Sequence, residues 1–113
     1  MNKRELGMRY ERYAEHYLVR QGYRILERNF RCMQGEIDLI AREGKYLVFI
    51  EIKYRKNLRS GMPAEAVDAK KQQRIRQAAR YYLYRKHYGE EIPCRFDVVG
   101  IVGEQISLIR DAF

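Results

Sequence analysis

The sequence predicts an α/β fold in which a central mixed β-sheet is flanked by helices. Apolar residues between Leu6 and Leu18 recur at three- and four-residue spacing, as on the buried face of an amphipathic helix. Three segments rich in alternating, β-branched and aromatic residues follow, and a second helical pattern separates them from further strand segments. The order helix, three strands, helix and one or two strands is typical of helices packed against a sheet.

Turn residues and changes of periodicity give the approximate limits of each element. In chain order we predict a helix ending near Gly22, strands at 23–30, 36–41 and 46–54, a loop at 57–63, a helix at 64–86, and strands at 95–102 and 105–110. The crossover between the third and fourth strands predicts that these strands are parallel and that the connection is right-handed. All 113 residues are expected to form one domain, 1–113.

The composition indicates a basic protein and favours nucleic acid as its partner. There are 23 lysines and arginines against 15 acidic residues, which gives a net charge of +8 and a pI of about 9.7. Such a domain attracts polyanions through its long-range field and through counterion release. Charge alone leaves open a solvated basic surface, an anionic membrane surface or an acidic protein partner.

The apolar segments and the cysteines indicate a cytoplasmic protein that does not enter a membrane. Its apolar runs fall far short of the roughly eighteen residues that a membrane span needs. No apolar segment follows the first residues, so secretion is not expected. Cys32 and Cys94 have no metal-ligand spacing and are expected to be free thiols in a reducing compartment.

The turn at residues 44–45 predicts the register of the second and third strands. Glycine at the first central position is what a type II′ hairpin turn requires. With this two-residue loop, Asp38 lies opposite Glu51, and Glu36 lies opposite Lys53. Because side chains alternate, these four residues share one face, and the other face carries an apolar layer of Ile37, Leu39, Ile50 and Ile52. A three-residue loop would mix polar and apolar residues on each face, which the pattern disfavours.

The opposed carboxylates of Asp38 and Glu51 are the main functional signal. Two carboxylates facing each other across a strand pair repel, so their pairing calls for a compensating charge. Mg²⁺ supplies such a charge and is usually held by one or two carboxylates, waters and substrate phosphate oxygens. Lys53 would position or deprotonate the attacking water, or stabilise charge that develops on the phosphate. The competing interpretation is a solvated outer face with cross-strand ion pairs.

Two motifs resemble those of known nucleases. The segments GEIDLI at 35–40 and VFIEIK at 48–53 resemble the PD-(D/E)XK nuclease superfamily, which has a restriction endonuclease-like core. The whole chain more closely resembles the YraN-like family, an uncharacterised bacterial group similar to archaeal Holliday junction resolvases. The other matching segments are YRILERN at 23–29, Ala66 and Val67 with Lys71, RFDVV at 95–99, and Ala112 with Phe113.

The resemblance implies an αβββαβ core and a specific set of site residues. It implies Asp38 and Glu51 as metal ligands and Lys53 as the catalytic lysine, with Mg²⁺ or Mn²⁺ as the cofactor. The superfamily often adds a glutamate from the first helix, and Glu11 matches that position. Tyr10 stands where the family usually has glycine, which puts the local helix packing in doubt. An ordinary helix-surface glutamate explains Glu11 equally well.

Further candidates lie around this set. The Ile52 carbonyl is a candidate metal ligand, and Glu36 is a candidate accessory carboxylate. Lys71 falls on the buried stripe of the second helix, where it either lies along the helix surface, which is slightly favoured, or reaches the carboxylates. The candidate contacts to the phosphate backbone of nucleic acid are Arg55, Lys70, Lys71 and Arg74.

The main functional hypothesis is a Mg²⁺- or Mn²⁺-dependent endonuclease that hydrolyses phosphodiester bonds in DNA, with branched or structured DNA as a candidate substrate. The alternative is a nucleic-acid-binding module of the same fold that has little or no catalysis. A weaker alternative is an adaptor for an acidic protein. Resolvases of this fold act as dimers, so a homodimer is a further expectation that the sequence leaves open.

Overall fold

The computed structural model shows a five-stranded mixed sheet flanked by two helices. It describes residues 2–113, except the side chains of residues 60 and 64. The principal elements are α1 (Lys3–Arg20), β1 (Arg24–Cys32), β2 (Gly35–Glu43), β3 (Tyr46–Arg55), α2 (Ala69–Arg85), β4 (Cys94–Val102) and β5 (Gln105–Ile109). The strands follow the order β1-β2-β3-β4-β5 across the sheet. The predicted α/β fold class is confirmed, and it is compatible with a restriction endonuclease-like core.

The strand directions follow from the connections between them. β1 and β2, β2 and β3, and β4 and β5 are antiparallel neighbours, whereas β3 and β4 are parallel. The segment between β3 and β4 contains α2, because a parallel pair needs a long crossover connection. The predicted parallel pairing is therefore confirmed, and the right-handed crossover stays a prediction.

Each helix buries an apolar cluster against the sheet. The cluster on the α1 side includes Ala14, Leu18, Leu39, Ala41, Val48, Ile50 and Val99. The cluster on the α2 side includes Ile40, Leu47, Phe49, Ile75, Ala78, Tyr82 and Val98. A fully buried aliphatic or aromatic side chain contributes roughly 1.5–3 kcal/mol, so these two layers are the main source of stability.

Two expectations about the cysteines and the helices can be compared with the structure. Cys32 and Cys94 are free thiols, as predicted. Neither α1 nor α2 combines the length and the apolar character that a membrane crossing requires, and no other helix within residues 2–113 does.

The second helix begins later than its hydrophobic pattern predicted. α2 starts at Ala69, and the Asp68 carboxylate caps it by accepting a hydrogen bond from the backbone N–H of Lys71 at 2.9 Å. The residues before it form a 3₁₀ helix, Pro63–Ala66. Val67 is buried in the same cluster as α2, so its apolar character indicated core packing correctly although it precedes the helix.

The hairpin between β2 and β3 has the predicted register. The paired residues run from Leu39 opposite Ile50 to Glu43 opposite Tyr46. Gly44 adopts a φ of +59°, as a type II′ turn requires at its first central position. The turn therefore sets which residues of the two strands lie beside each other.

β2 changes face at Asp38, which the alternating pattern did not predict. Leu39 packs in the cluster on the α1 side, whereas Ile37 packs in the cluster on the α2 side. In a regular strand these two residues would share a face. The predicted apolar layer is therefore wrong for Ile37, although Leu39, Ile50 and Ile52 do pack in one cluster.

β1 changes face at the neighbouring position, Asn29. Asn29 and Asp38 lie between the same two residue pairs of the β1–β2 ladder. Before Asn29, Arg28 forms an ion pair with Glu15 of α1, and after it Phe30 packs in the cluster on the α2 side. Asn29 has a φ of +52°, a left-handed conformation that asparagine adopts more readily than most residues. This one residue lets both strands exchange faces together.

A buried ionic network connects β4 to β2, to Tyr23 just before β1 and to the backbone of Asp111 after β5. The Asp97 carboxylate is fully buried and accepts hydrogen bonds from the Tyr23 hydroxyl at 2.6 Å and from the Asp111 backbone N–H at 2.9 Å. Arg95 donates to both Asp97 oxygens at 2.9 Å and to Glu43 at 2.9 Å. Burial and the hydrogen bond to Asp97 raise the pKa of Tyr23 to about 12. We call these five residues the Asp97 network. Its charged groups bind one another and the backbone, which indicates a role in stabilising the fold.

Candidate active site

Asp38 lies where β2 and β3 separate. Within residues 2–113 the pairing of these strands ends at Leu39 and Ile50, one residue short of Asp38. The half-buried Asp38 carboxylate accepts a hydrogen bond from the backbone N–H of Ile52 at 2.8 Å. A side-chain oxygen of β2 therefore binds the backbone of β3 at this point, which holds the carboxylate between the two strands.

Glu51 is a buried carboxylate with two lysines on one of its oxygens. Its side chain is only about 6% exposed, and Oε1 lies 2.8 Å from Lys71 Nζ and 3.4 Å from Lys53 Nζ. The carboxyl group of Asp38 is also within hydrogen-bonding reach of Glu51. We call Asp38, Glu51, Lys53 and Lys71 the Asp38–Glu51 cluster. With every member charged, its two acids and two bases cancel.

Lys71 contacts Glu51 directly. The slightly favoured alternative, in which Lys71 lies along the helix surface, is therefore wrong. The reason is the late start of α2, because the Asp68 cap places Lys71 in the first turn of the helix. From there the long side chain reaches Glu51 in the middle of β3.

The pKa values within the cluster are shifted because charges are buried together. Burial, followed by the negative charge of Glu51, raises the pKa of Asp38 to about 7, and the Ile52 N–H only partly opposes this. Burial and the neighbouring Lys71 lower the pKa of Lys53. Burial opposes the charge of Lys71 as well, but the ion pair with Glu51 outweighs it and the pKa of Lys71 is raised. Such opposed shifts are typical of functional sites.

Glu11 lies on the wall of a cavity that also contains Asp38. The cavity has a volume of about 270 Å³ and lies between α1 and the sheet, and its lining includes Tyr10, Ile52 and Tyr54. Within residues 2–113 no three histidine, cysteine, aspartate or glutamate side chains converge to hold a metal ion. The structure therefore brings Asp38 and Glu51 together, while Glu11 stays a predicted ligand near them.

The predicted register placed Glu36 opposite Lys53, but the two side chains do not lie together in the structure. The Glu36 carboxylate instead forms an exposed ion pair with Arg31 of β1, with Oε2 at 3.3 Å from Nε. The strands β2 and β3 have separated before this position, so the register of the hairpin no longer brings the two side chains together. The prediction that Glu36 shares the site is wrong in this respect.

Of the four predicted contacts to nucleic acid, Lys71 belongs to the cluster, whereas Arg55, Lys70 and Arg74 do not. Arg55 is half-buried at the end of β3, and its Nε is buried without a hydrogen-bond partner in the described part of the chain. Lys70 and Arg74 are exposed in the first turns of α2, on either side of Lys71 in sequence. Their contacts to DNA remain predictions.

A pair of stacked tyrosines borders the site and was missed by the sequence analysis. The rings of Tyr10 and Tyr54 are 3.8 Å apart between centroids and 19° from parallel. The spacing of Tyr10 on α1 indicated packing against the sheet, but its partner depends on which strand α1 covers. No local sequence signal specifies that strand.

The residues at the strand separation fit a divalent cation. Two carboxyl groups and the Ile52 carbonyl supply the oxygen ligands that Mg²⁺ and Mn²⁺ prefer. Burial and the charge of Glu51 leave Asp38 with a raised pKa, and a divalent cation would relieve this repulsion. Asp38, Glu51 and the Ile52 carbonyl are therefore the groups that would hold it.

The fold and the site define a mixed α/β protein with a carboxylate–lysine cluster beside its central strands. The chain belongs to the Uncharacterised protein family UPF0102, whose family model matches residues 10–101. This confirms the predicted YraN-like membership.

Individual relatives match along most or all of the chain. A UPF0102 protein of Lachnoclostridium phytofermentans is 52% identical over 113 residues, which cover 100% of this chain and 96% of the relative. One from Caldicellulosiruptor saccharolyticus is 43% identical over 119 aligned positions, which span both chains completely. One from Hahella chejuensis is 50% identical over 95 residues, which cover 84% of this chain and 76% of the relative.

Proposed function

We propose that this protein is a metal-dependent endonuclease of the PD-(D/E)XK superfamily that hydrolyses phosphodiester bonds in DNA. The observation that carries the proposal is the Asp38–Glu51 cluster, in which two carboxyl groups lie together and two ammonium groups contact one of them. The net charge of +8 supports a polyanionic substrate. The resemblance of the sequence motifs to those of archaeal resolvases makes branched DNA the first substrate to test.

The roles of the residues follow from their contacts. Asp38, Glu51 and the Ile52 carbonyl would hold Mg²⁺ or Mn²⁺, which when bound polarises a phosphate and lowers the pKa of a bound water. Lys53 contacts Glu51 and has a lowered pKa because of burial and Lys71, so it can lose its proton more readily than an exposed lysine. It is suited to orient or deprotonate the attacking water. Lys71 holds the Glu51 carboxylate in place through their ion pair.

The deciding experiment compares cleavage of supercoiled plasmid and of branched DNA in Mg²⁺ and in Mn²⁺. Asp38→Asn and Lys53→Met are expected to lower the cleavage rate by about 10² or more, as loss of a catalytic acid–base group commonly does. Glu36→Gln is the matched control, because this carboxylate lies on the same strand as Asp38 but is paired with Arg31. Equal cleavage by the wild type and Asp38→Asn would reject the site.

A second candidate function is a nucleic-acid-binding module of the same fold without catalysis. The observation that favours it is the contact of Glu51 with both Lys53 and Lys71, which supplies countercharge to this carboxylate without any metal ion. A titration with Mn²⁺ separates the two functions. If Mn²⁺ changes neither the melting temperature nor the DNA affinity, and Glu51→Ala stabilises the protein, the binding module is supported.

A further inference from the structure

A basic groove lies beside α1 and shares lining residues with the cavity that contains Asp38. It has a volume of about 630 Å³ and runs between the first half of α1 and the bend of β1 at Asn29. Five basic and two acidic side chains line it. Arg28 and Arg31 are already paired with acids, whereas Lys3, Arg4 and Arg12 form no ion pair with any residue in the described part of the chain. These three cations are available to an anionic ligand.

The spacing of Arg4 and Arg12 explains how they come to share the groove. They are eight residues apart on α1, a little over two turns, and both side chains line the groove. At 1.5 Å rise per residue, this separation is roughly 12 Å along the helix axis. A flexible anionic chain with repeated charges can therefore contact both side chains at once.

The groove adjoins the cavity that contains Asp38. Lys3, Gly7 and Glu11 line both spaces. A Cβ atom added at Gly7 would have no atom within 4 Å, so the position opens onto free space. Glycine within a helix is unfavourable compared with alanine, and here its missing side chain keeps the two spaces connected. A chain lying in the groove therefore has an open path to the candidate active site.

The cavity has an aromatic and apolar wall that suits a flat ring. The stacked pair of Tyr10 and Tyr54 forms part of it, together with Leu6 and Ile52, beside the Asp38 carboxylate. Proteins that bind single-stranded nucleic acid combine a basic groove for the backbone with aromatic side chains for the bases. A base within a duplex is covered by its neighbours on both faces, so an aromatic side chain contacts the face of an unpaired base only.

We propose that this surface binds a single-stranded segment of DNA. Its phosphates lie along Lys3, Arg4 and Arg12, and an unstacked base lies against the Tyr10–Tyr54 pair beside Asp38. The proposal rests on the proposed function for the identity of the ligand and names its substrate class as DNA that contains an unpaired segment. Binding is measured separately from cleavage, so either proposal can fail without the other.

The first test uses the wild-type protein and fluorescence anisotropy in EDTA, where metal-dependent cleavage does not occur. The probes are a DNA strand of about 15 nucleotides, within the usual site size for such proteins, and a blunt duplex of the same sequence. We expect the single strand to bind about tenfold more tightly, because stacking of one base alone contributes that much. Equal or tighter binding of the duplex would overturn the proposal. Equal cleavage by the wild type and Asp38→Asn would reject the proposed nuclease site but would not affect this binding result.

The second test closes the passage at Gly7. Gly7→Leu places a side chain in free space, so its melting temperature is expected to stay the same or rise, because leucine is a better helix former than glycine. Its affinity for the single strand is expected to fall about tenfold, with the loss of the stacked base. Gly7→Ala is the matched control, with the same helix benefit and little obstruction. Unchanged binding by a folded Gly7→Leu protein would contradict the proposed path.

The third test removes charge and measures salt dependence. Arg4→Gln with Arg12→Gln is expected to lower the slope of log affinity against log salt by about 1.4, since each phosphate contact of a single strand contributes about 0.7. The matched control, Arg20→Gln with Lys45→Gln, removes two exposed charges from the end of α1 and from the β2–β3 turn. If both pairs of substitutions lower the slope equally, binding depends on net charge alone and the groove is not the site.

Discussion

The two buried carboxylate groups on the central strands, Asp97 on β4 and Glu51 on β3, occupy almost adjacent positions in the register but have very different surroundings. Asp97 pairs with Ile50, the residue next to Glu51. Asp97 accepts four hydrogen bonds, two of them from the guanidinium of Arg95. Glu51 instead has two ammonium groups on one oxygen and a second carboxyl group beside it.

This difference separates a carboxylate that stabilises the fold from one that is suited to bind a ligand. A buried charge whose hydrogen bonds are all satisfied lowers the stability of the fold strongly only when one of its partners is removed. A buried pair of like charges destabilises the fold until another ion or a proton compensates it. The Asp97 network is therefore expected to lose stability when a partner is removed, whereas the Asp38–Glu51 cluster is expected to gain stability when the charge of Asp38 is removed.

The largest effect is expected from Asp97→Asn. The substitution leaves the buried Arg95 without its main countercharge and should lower the free energy of unfolding by about 3–5 kcal/mol. Urea unfolding followed by circular dichroism measures this loss. Asp111→Asn is the control, because only the backbone of Asp111 contacts the network, and it should have a small effect. Equal losses in both variants would contradict the importance of the carboxylate.

A somewhat smaller effect of opposite sign is expected from Asp38→Asn without metal. The folded-state pKa of about 7 lies above the ordinary value, so the folded protein retains a proton that the unfolded chain has lost. Wild-type stability therefore falls as pH rises from about 4 to 7, while the variant keeps its stability. Above pH 7 the variant should be more stable by about 2–4 kcal/mol, measured by urea unfolding at several pH values.

Divalent metal provides the control for this result. Mn²⁺ should raise the melting temperature of the wild type at pH 8 and reduce the advantage of Asp38→Asn, because the cation binds the folded carboxylates. An Asp38→Asn protein that is less stable than the wild type at pH 8 in EDTA would indicate that the cluster is well compensated.

Tyr23→Phe is expected to have a moderate effect. It removes the hydroxyl that donates to Asp97 and accepts from Arg95, while the ring stays in the core. The expected loss is about 1–2 kcal/mol of unfolding free energy, since the buried partners keep their other hydrogen bonds. Differential scanning calorimetry measures it, and a loss as large as that of Asp97→Asn would mean that the hydroxyl organises the whole network.

The smallest effect is expected from Glu36→Gln. Its ion pair with Arg31 is exposed, so unfolding free energy should change by less than about 0.5 kcal/mol. Chemical denaturation in low and high salt measures this change. A clear loss of metal-dependent stabilisation in this variant would instead support the original prediction that Glu36 belongs to the site.

The sequence was sufficient for the features that depend on neighbouring residues. The glycine at 44 and the alternation of the flanking residues predicted the register from Leu39 to Glu43 correctly. Strand alternation could not predict the change of face, because it depends on the left-handed conformation of Asn29 in another strand. The contact of Lys71 with Glu51 depended on where α2 begins, which the Asp68 cap decides.

Because β1 and β2 exchange faces at Asn29 and Asp38, a substitution at Asn29 would also affect the candidate active site. Most residues pay about 1–2 kcal/mol to adopt the left-handed conformation that Asn29 adopts, so a β-branched residue there would favour a straight strand. A straight strand would turn Phe30 away from the α2 cluster and alter the position between the two strands that Asp38 occupies. Mutation at Asn29 is therefore, in effect, mutation of the site. An asparagine that lies outside the Asp38–Glu51 cluster thus helps to determine where the Asp38 carboxylate lies.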